Sequence, residues 1–251
     1  MTDASTHGPT RAHLIFGAYG GIGSALARTL VEQGHRVALS GRDGARLQAL
    51  ADELGAAALP ADATDFSAVG DVVQGAQEEM GGLHGVANCV GSLLLKPAHM
   101  TKAEEWDATI ATNLTSAFAV VRAATQAMMK AGGSVVLVST AAAGIGLPNH
   151  EAIAAAKGGI EALVRSAAAT YGKAGVRVNA VAPGLVETPL TARITGNDTA
   201  RASSEAMHAL KRLGRPEEVA GGMAWLLSGR ADWVTGQVIG IDGGLGAVRS
   251  A

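Results

Sequence analysis

The chain has 251 residues, a formal net charge of −2 at pH 7, 48% hydrophobic residues and 17% charged residues. This length and apolar content favour one domain with a large core and exclude a disordered chain. The near-neutral charge argues against a nucleic-acid partner, and no apolar run reaches the roughly 18 residues of a membrane span, so we expect no membrane partner either.

The first segment, residues 1–11, has no apolar stretch of the kind found in signal peptides, and we expect it to form a flexible tail. Cys89 is the only cysteine, so the chain can form no internal disulfide, which is consistent with a reducing compartment. We therefore predict a cytoplasmic protein whose single domain covers residues 12–251.

Strand-like and helix-like segments alternate along the rest of the chain. The predicted strands cover residues 13–16, 37–40, 56–60, 85–90, 134–139, 176–181 and 237–241. The predicted helices cover residues 22–33, 45–54, 65–80, 104–129, 150–171 and 217–227. Apolar strands that alternate with helices indicate an α/β fold, a doubly wound parallel sheet with helices on both faces. Residues 185–210 interrupt the alternation as a long polar connection, and we expect them to form a lid over the substrate.

A glycine-rich turn, Gly-Ala-Tyr-Gly-Gly-Ile-Gly at residues 17–23, joins the first strand to the first helix. Glycine lets backbone amides approach a pyrophosphate closely, and the N-terminus of a helix attracts its negative charge. The turn therefore predicts a dinucleotide site, although a tight turn without a ligand has the same pattern. The candidate cofactor contacts in this turn are Gly17, Tyr19, Gly21, Ile22 and Gly23.

Further motifs follow along the chain. They are Ala61-Asp62-Ala63, Asn88-Cys89-Val90-Gly91, Asn113, Pro183-Gly184 with Thr188-Pro189, Leu213-Gly214-Arg215-Pro216 and Asp242-Gly243-Gly244. Together with the glycine-rich turn they resemble the short-chain dehydrogenase/reductase family, from about residue 12 to about residue 247. The resemblance implies a single-domain Rossmann-type fold and a nicotinamide cofactor. The further cofactor contacts that it implies are Asp62, Ala63, Asn88, Gly91, Lys157, Pro183, Gly184, Val186 and Thr188.

The resemblance breaks at the catalytic centre. The family places a Tyr four residues before the Lys that corresponds to Lys157, and this Tyr gives a proton to the substrate carbonyl; here the position is Ile153. Thr140, thirteen residues before position 153, matches the family's Ser, which orients the carbonyl. Asn113 matches the Asn that organises the active-site water and the Lys. The chain therefore keeps three members of the catalytic set and lacks the proton donor.

His150 is the candidate replacement, because it lies seven residues, or about two helical turns, before Lys157. Enoyl reductases related to this family carry their Tyr at that spacing, and imidazole titrates near neutral pH. Against this, Pro148 and Asn149 look like a helix entry and N-cap, and the positive end of a helix disfavours an imidazolium. The alternative is a surface His in the first helical turn.

The residue at the end of the second strand indicates which nicotinamide is bound. An acid there favours the ribose of NAD(H), whereas a cation favours the 2′-phosphate of NADP(H). Arg42 offers a planar fork of donors suited to phosphate, and no carboxylate in this segment precedes Asp43. We therefore predict NADP(H) rather than NAD(H), the alternative being that Arg42 only faces solvent. No metal site is expected.

These features are compatible with three functions, which we rank from most to least favoured. The first is an NADP(H)-dependent oxidoreductase that reduces a C=O, C=N or activated C=C bond in a small, mainly apolar substrate, with the proton from His150, from ordered water or from the substrate itself. The second is a non-redox enzyme, such as a cyclase or isomerase, and the third is a catalytically silent NADP(H)-binding sensor or partner subunit. The retained Thr140, Asn113 and Lys157 favour the first. The resemblance also implies a homodimer or homotetramer.

Overall fold

Seven strands form one sheet in the computed structural model, which describes residues 9–248. Residues 1–8 of the expected tail lie outside the described part, as do residues 249–251. The strands are β1 (Ala12–Phe16), β2 (Arg36–Gly41), β3 (Ala57–Pro60), β4 (Gly85–Asn88), β5 (Gly133–Val138), β6 (Val176–Pro183) and β7 (Val238–Ile241). All pairs are parallel, in the order β3-β2-β1-β4-β5-β6-β7. The predicted doubly wound sheet is confirmed, and its strand order reverses between β1 and β4.

Helices cover both faces of this sheet. They are α1 (Gly21–Glu32), α2 (Gly44–Leu54), α3 (Phe66–Glu79), α4 (Ala103–Ile110), α5 (Ser116–Met128), α6 (Glu151–Tyr171), α7 (Ala192–Thr195), α8 (Asp198–Met207) and α9 (Pro216–Leu227). Side chains alternate between the faces of a strand, so Leu14 and Phe16 pack in the layer of α3, α5 and α6, while Ile15 packs in the layer of α1, α2 and α9. Within residues 9–248, no helix is both long and apolar enough to cross a membrane.

A π-helical turn interrupts one predicted helix. The predicted helix over residues 104–129 is present, but a π-helical turn at Ala111–Thr115 lies between its two α-helical parts, α4 and α5. No Pro or Gly marks the break, so the sequence pattern runs through it. Gly159 of α6 faces this turn, and a Cβ on it would lie 2.8 Å from the side chain of Leu114. Turns of this kind are frequent at functional sites, and this one carries Asn113.

The expected lid, residues 185–210, contains helices that the sequence analysis did not predict. They are a 3-10 turn at Pro189–Thr191, followed by α7 and α8. Asn197 caps α8 by accepting a hydrogen bond of 2.9 Å from a backbone N–H of its first turn, and Arg201 pairs with Glu205 one turn further on. The helix α8 is stabilised by its cap and its ion pair and not by a wide apolar stripe. Its sequence therefore lacks the apolar periodicity that identifies a core helix.

Candidate active site

The carboxyl ends of β4, β5 and β6 border a cavity of about 280 Å³, and α6, the loop after β4 and the segment 185–208 contribute further walls. Most of its wall is apolar, with side chains that include Leu93, Leu95, Leu147, Ile153, Leu190, Ile194, Met207 and Leu245. The sequence-predicted residues that line it are Ile22, Gly91, Asn113, Thr140, His150, Lys157, Pro183, Gly184, Val186 and Thr188. All four candidate catalytic residues therefore border one space.

The other predicted cofactor residues lie beside this cavity, along the ends of β1 to β4. They are Gly17, Tyr19, Gly21, Gly23, Arg42, Asp62, Ala63 and Asn88. Because the strand order reverses between β1 and β4, these ends form the crevice in which doubly wound sheets bind their ligands.

The glycine-rich turn has the geometry of a phosphate cradle. Gly17 has a φ of +70°, and a Cβ there would lie 2.8 Å from the backbone of Cys89. A Cβ on Gly21 would lie 2.7 Å from the side chain of Thr188, which comes from the loop after β6. Gly20, the N-cap of α1, offers no side chain to the first amides of the helix. These amides therefore suit a pyrophosphate, and the residues present fit a dinucleotide.

Tyr19 supports the loop that carries Arg42. The Tyr19 hydroxyl accepts a hydrogen bond from the Asp43 N–H at 3.1 Å, and the Arg46 guanidinium stacks 4.6 Å from the centre of the Tyr19 ring. The Asp43 carboxylate is engaged as well, because it accepts from the Arg46 N–H and caps α2. Arg42 itself is exposed at the end of β2. The nearest downstream carboxylate thus caps a helix while the Arg42 guanidinium faces outward.

Asp62 and Asn88 brace the turns after β3 and β4. Asp62 accepts hydrogen bonds from the Thr64 N–H (2.9 Å) and hydroxyl (2.8 Å), which lower the pKa of its carboxyl, with a smaller contribution from Arg42. Asn88 accepts from the Val90 N–H at 3.0 Å. The Asn88 Nδ2 also donates to the Ser116 Oγ at 3.4 Å, so Asn88 ties the turn after β4 to α5, whereas Asp62 is engaged within its own turn.

Lys157 is buried on α6 with its amine in the cavity wall. Its Nζ donates a hydrogen bond to the Val138 carbonyl at 2.8 Å. Burial lowers the pKa of Lys157 to about 8, an effect that Cys89 partly offsets. The Cys89 thiol lies in the same wall, where burial raises its pKa to about 12. Lys157 can therefore exchange a proton near neutral pH, whereas Cys89 stays a neutral thiol.

Two hydroxyls follow β5, and they have different surroundings. Thr140 begins a 3-10 turn, and its Oγ1 accepts from the Ala142 N–H at 3.3 Å and donates a long hydrogen bond of 3.5 Å to the Pro183 carbonyl. The Ser139 hydroxyl instead donates to the Glu161 carboxylate at 2.9 Å. Because its donated bond is longer (3.5 Å against 2.9 Å), the Thr140 hydroxyl can turn toward a substrate oxygen at a smaller loss than the Ser139 hydroxyl can.

His150 occupies the N-cap position of α6, which the sequence pattern placed at Asn149. Asn149 instead has a φ of +64° and turns the chain into the helix. The His150 Nδ1 lies 2.8 Å from the Pro148 carbonyl, and because a carbonyl only accepts, this nitrogen carries the hydrogen. A neutral His150 therefore has no proton on Nε2, and it can donate from that atom only as an imidazolium.

Ile153, which the sequence analysis aligned with the family's Tyr, lies in the first turns of α6. Its side chain is 3% exposed, and it borders the cavity one helical turn before Lys157. An aliphatic side chain neither gives nor accepts a proton, so this part of the wall has no acid–base function.

His208 is a cavity residue that the sequence analysis missed. It is 2% exposed, its Nδ1 donates to the Ser204 carbonyl at 2.6 Å, and its Nε2 accepts from the Leu185 N–H at 3.2 Å. These bonds tie the end of α8 to the loop after β6. No motif marks the residue, because its partner Leu185 is 23 positions away in the chain.

Comparisons with known proteins agree with this geometry. A family model described as enoyl-(acyl carrier protein) reductase matches residues 17–246. The chain is 37% identical over 230 residues to the inactive 2-(S)-hydroxypropyl-CoM dehydrogenase 2 of Xanthobacter autotrophicus, covering 89% of this chain and 100% of that protein. It is 38% identical to the cis-4-hydroxycyclohexanecarboxylate dehydrogenase of Sinomonas cyclohexanicum, covering 95% of this chain and 97% of that protein.

A solved structure shows the same architecture. A short-chain type dehydrogenase/reductase from Mycobacterium ulcerans superposes with a TM-score of 0.92 at 32% identity, covering 97% of this chain and 92% of that chain. The parallel sheet, the glycine-rich turn and these similarities lead to one conclusion: the chain belongs to the short-chain dehydrogenase/reductase family of nicotinamide-dependent oxidoreductases.

Proposed function

We propose that the protein is an NADP(H)-dependent oxidoreductase that reduces a small, mainly apolar substrate without a Tyr proton donor. The observation that carries this proposal is the convergence of Thr140, Asn113 and Lys157 on one cavity in which Ile153 takes the Tyr position. A protein that only binds a dinucleotide needs neither a hydroxyl nor an ordered Asn beside the substrate space. The retained set therefore favours chemistry over binding alone.

The residues around the crevice would hold the cofactor, which supplies a hydride when it is bound. The amides of the glycine-rich turn suit its pyrophosphate, and the exposed Arg42 suits a 2′-phosphate. The Lys157 ammonium uses one N–H on the Val138 carbonyl, which leaves two donors for ribose hydroxyls. Arg42 is the feature that favours NADP(H) over NAD(H).

The wall of the cavity selects the substrate. Leucine, isoleucine and methionine side chains from α6 and the lid exclude water and favour an apolar body. The Thr140 hydroxyl suits an oxygen or nitrogen at the reacting carbon. A cyclic ketone, an enone or a cyclic imine combines these two properties.

Proton delivery is the step that this site changes. Lys157 is protonated at neutral pH, and its pKa of about 8 lets it release a proton to ordered water more readily than an exposed Lys does. His150 can supply a proton from Nε2 only as an imidazolium, since its Nδ1 hydrogen is held by the Pro148 carbonyl. A protonated imine needs no donor, because it brings its own proton.

The experiment is NADPH consumption against a panel of apolar ketones, enones and cyclic imines. We expect at least one member to be reduced, and we expect Lys157→Ala to weaken NADPH binding as well as turnover. Tight NADPH binding without oxidation by any member would contradict the proposal. Turnover without net NADPH loss would support the non-redox alternative instead.

A second function has a specific observation in its favour, that of a catalytically silent NADP(H)-binding subunit. The relative from Xanthobacter autotrophicus that is 37% identical to this chain is named as inactive. The loss of the Tyr at Ile153 agrees with such a role. Under this alternative, Ile153→Tyr would create activity in a protein whose wild type reduces nothing.

We also propose that the protein forms a homodimer or homotetramer. Large apolar side chains are exposed on α4 and α5, with Trp106 at 43% and Phe118 at 48%. Another group lies near β7, where Trp233 is fully exposed and Trp225 is 40% exposed. Contact between copies would bury these surfaces. Light scattering that finds a monomer would contradict this.

A further inference from the structure

Ser92, in the loop after β4, is held at two points by one side chain. The Asn113 Oδ1 accepts a hydrogen bond from the Ser92 N–H at 3.2 Å, and the Asn113 Nδ2 donates to the Ser92 Oγ at 2.9 Å. The same Nδ2 also donates to the Thr109 carbonyl at 2.9 Å. If the Asn113 side-chain amide were rotated by half a turn, its NH₂ group would face the Ser92 N–H and its oxygen would face the Thr109 carbonyl. Both contacts would be repulsive. Hydrogen-bond chemistry therefore fixes this orientation.

The two hydrogen bonds between Asn113 and Ser92 do not use the hydrogen of the Ser92 hydroxyl, which can therefore be donated to another acceptor. A Ser hydroxyl has one hydrogen to donate, and here its oxygen already accepts from Asn113. Within residues 9–248, the Ser92 hydroxyl donates to no protein acceptor. An accepted hydrogen bond polarises the O–H bond, which makes Ser92 a better donor.

This donor borders the cavity that Thr140, Ile153 and Lys157 also line. A Cβ on the preceding residue, Gly91, would lie 3.2 Å from the Asn113 Oδ1 and 3.6 Å from the Lys157 Nζ. No side chain therefore separates the backbone leading to Ser92 from the Lys157 amine. The loop after β4 therefore supplies the Ser92 hydroxyl to the same cavity to which α6 supplies the aliphatic side chain of Ile153.

We infer that the Ser92 hydroxyl donates a hydrogen bond to the carbonyl oxygen of an apolar ketone substrate. The inference deepens the proposed function and rests on it for the choice of a carbonyl compound. Ser92 binds and orients the oxygen alongside Thr140, and it is not the source of the proton, because a Ser hydroxyl stays protonated at neutral pH. The fixed Asn113 amide makes Ser92 a preorganised donor.

The test uses two probes that differ only in the oxygen. Isothermal titration calorimetry measures the binding of β-tetralone and of tetralin, the hydrocarbon with the same ring system, to the complex of the full chain with NADP⁺. We expect the wild type to prefer the ketone and Ser92→Ala to reduce that preference roughly three- to tenfold, as one net hydrogen bond does. Ser92→Thr keeps a hydroxyl and should restore it. Ser139→Ala is the matched control, because that hydroxyl donates to Glu161.

Three results would overturn the inference. The first is equal binding of the two probes to the wild type, and the second is a ketone preference that survives Ser92→Ala. The third is a loss of preference accompanied by weaker NADP⁺ binding, which would make Ser92 a structural residue of the loop. NADPH oxidation is measured in a separate assay. A ketone preference that depends on Ser92, without any oxidation of NADPH, would contradict the reductase function but support the role of Ser92 in binding the ketone.

Discussion

Ile153 and Lys157 lie one helical turn apart on α6, and both side chains border the same cavity. The Lys157 Nζ donates to the Val138 carbonyl at 2.8 Å, so the amine is held in place without a phenol beside it. The position from which the family's Tyr would deliver a proton is buried and aliphatic. Under the proposed function, Lys157 holds the cofactor ribose, and the proton reaches the substrate without a Tyr.

Ile153→Tyr should increase carbonyl reduction. The new hydroxyl would lie on the helix face of Lys157, whose positive charge lowers the pKa of a nearby phenol. General acid catalysis of this kind contributes roughly 10²- to 10⁴-fold, so we expect a rise in kcat of about 10²-fold for a ketone. The measurement is steady-state NADPH oxidation.

The matched control for that variant is Ile153→Phe, which adds the ring without the hydroxyl. It should leave kcat near the wild-type value. An equal gain in both variants would assign the effect to cavity shape, and no gain in either would mean that the space beside position 153 no longer accepts a family substrate.

His150→Ala should change kcat by less than about twofold, since general acids that act in the transition state contribute far more. The His150 Nδ1 hydrogen is engaged with the Pro148 carbonyl, so a neutral His150 ring has no hydrogen on Nε2 to give to a substrate. The pH profile of kcat is the second readout. A loss of about 10²-fold, together with loss of an ionisation near neutral pH, would establish His150 as the proton donor.

Arg42→Ala should weaken NADPH binding about tenfold and leave NADH binding nearly unchanged, because only NADPH carries the 2′-phosphate that a guanidinium binds by charge-assisted hydrogen bonds. Arg36→Ala is the control, since Arg36 is an exposed Arg at the opposite end of the same strand. Fluorescence titration measures both cofactors. Equal losses for NADPH and NADH would refute the assignment of Arg42 to the phosphate.

His13 should make the protein less stable in acid. Burial, together with the nearby His35, His84 and Arg11, lowers the pKa of His13 from 6.5 to about 3. Between these values the unfolded chain binds a proton that the folded chain does not. The free energy of unfolding therefore falls as the pH drops below 6.5, by about 1.4 kcal/mol per unit for this one group.

Urea unfolding at about pH 7 and about pH 5 measures this effect. His13→Leu should reduce the difference between the two pH values, because the buried titrating group is gone. His99→Leu, a change at an exposed His, should keep the wild-type difference. A wild-type difference that persists in His13→Leu would locate the acid sensitivity elsewhere.

NADPH should slow tryptic cleavage of the lid at the exposed Arg193. Thr188 lies against Gly21 at the lid entrance, and Arg201 of α8 pairs with Glu187 beside it. A dinucleotide between the turn and the lid would order both sides. Cleavage at the exposed Lys173, near the amino end of β6, serves as the control. Equal cleavage of Arg193 with and without NADPH would refute lid ordering.

The strands and most helices were predictable because each carries its own local signal. The apolar run through Ile15 predicted β1, and Asp65 marked the start of α3, where its carboxylate accepts from the N–H groups of Ser67 and Ala68. The site positions of Thr140 and Lys157 were predicted from their resemblance to the family's motif. Chain order alone was enough to expect them at one edge of a parallel sheet.

The features that escaped prediction depend on contacts between distant segments. The π turn at Asn113 packs against α6, and no local residue marks it. The cavity position of His208 depends on a hydrogen bond from the Leu185 N–H, and the role of Ser92 depends on an amide 21 residues away. The sequence contains these residues, but the partners of their hydrogen bonds are known only from the folded structure.

Transfer of deuterium from the cofactor to the product distinguishes a reductase from a protein that only binds NADPH. NADPH deuterated at the transferable position is incubated with the wild-type protein and the panel of apolar ketones, enones and cyclic imines, and the products are analysed by mass spectrometry. We expect one deuterium in at least one reduced product. Undeuterated substrate throughout, from a protein that binds NADPH tightly, would contradict it.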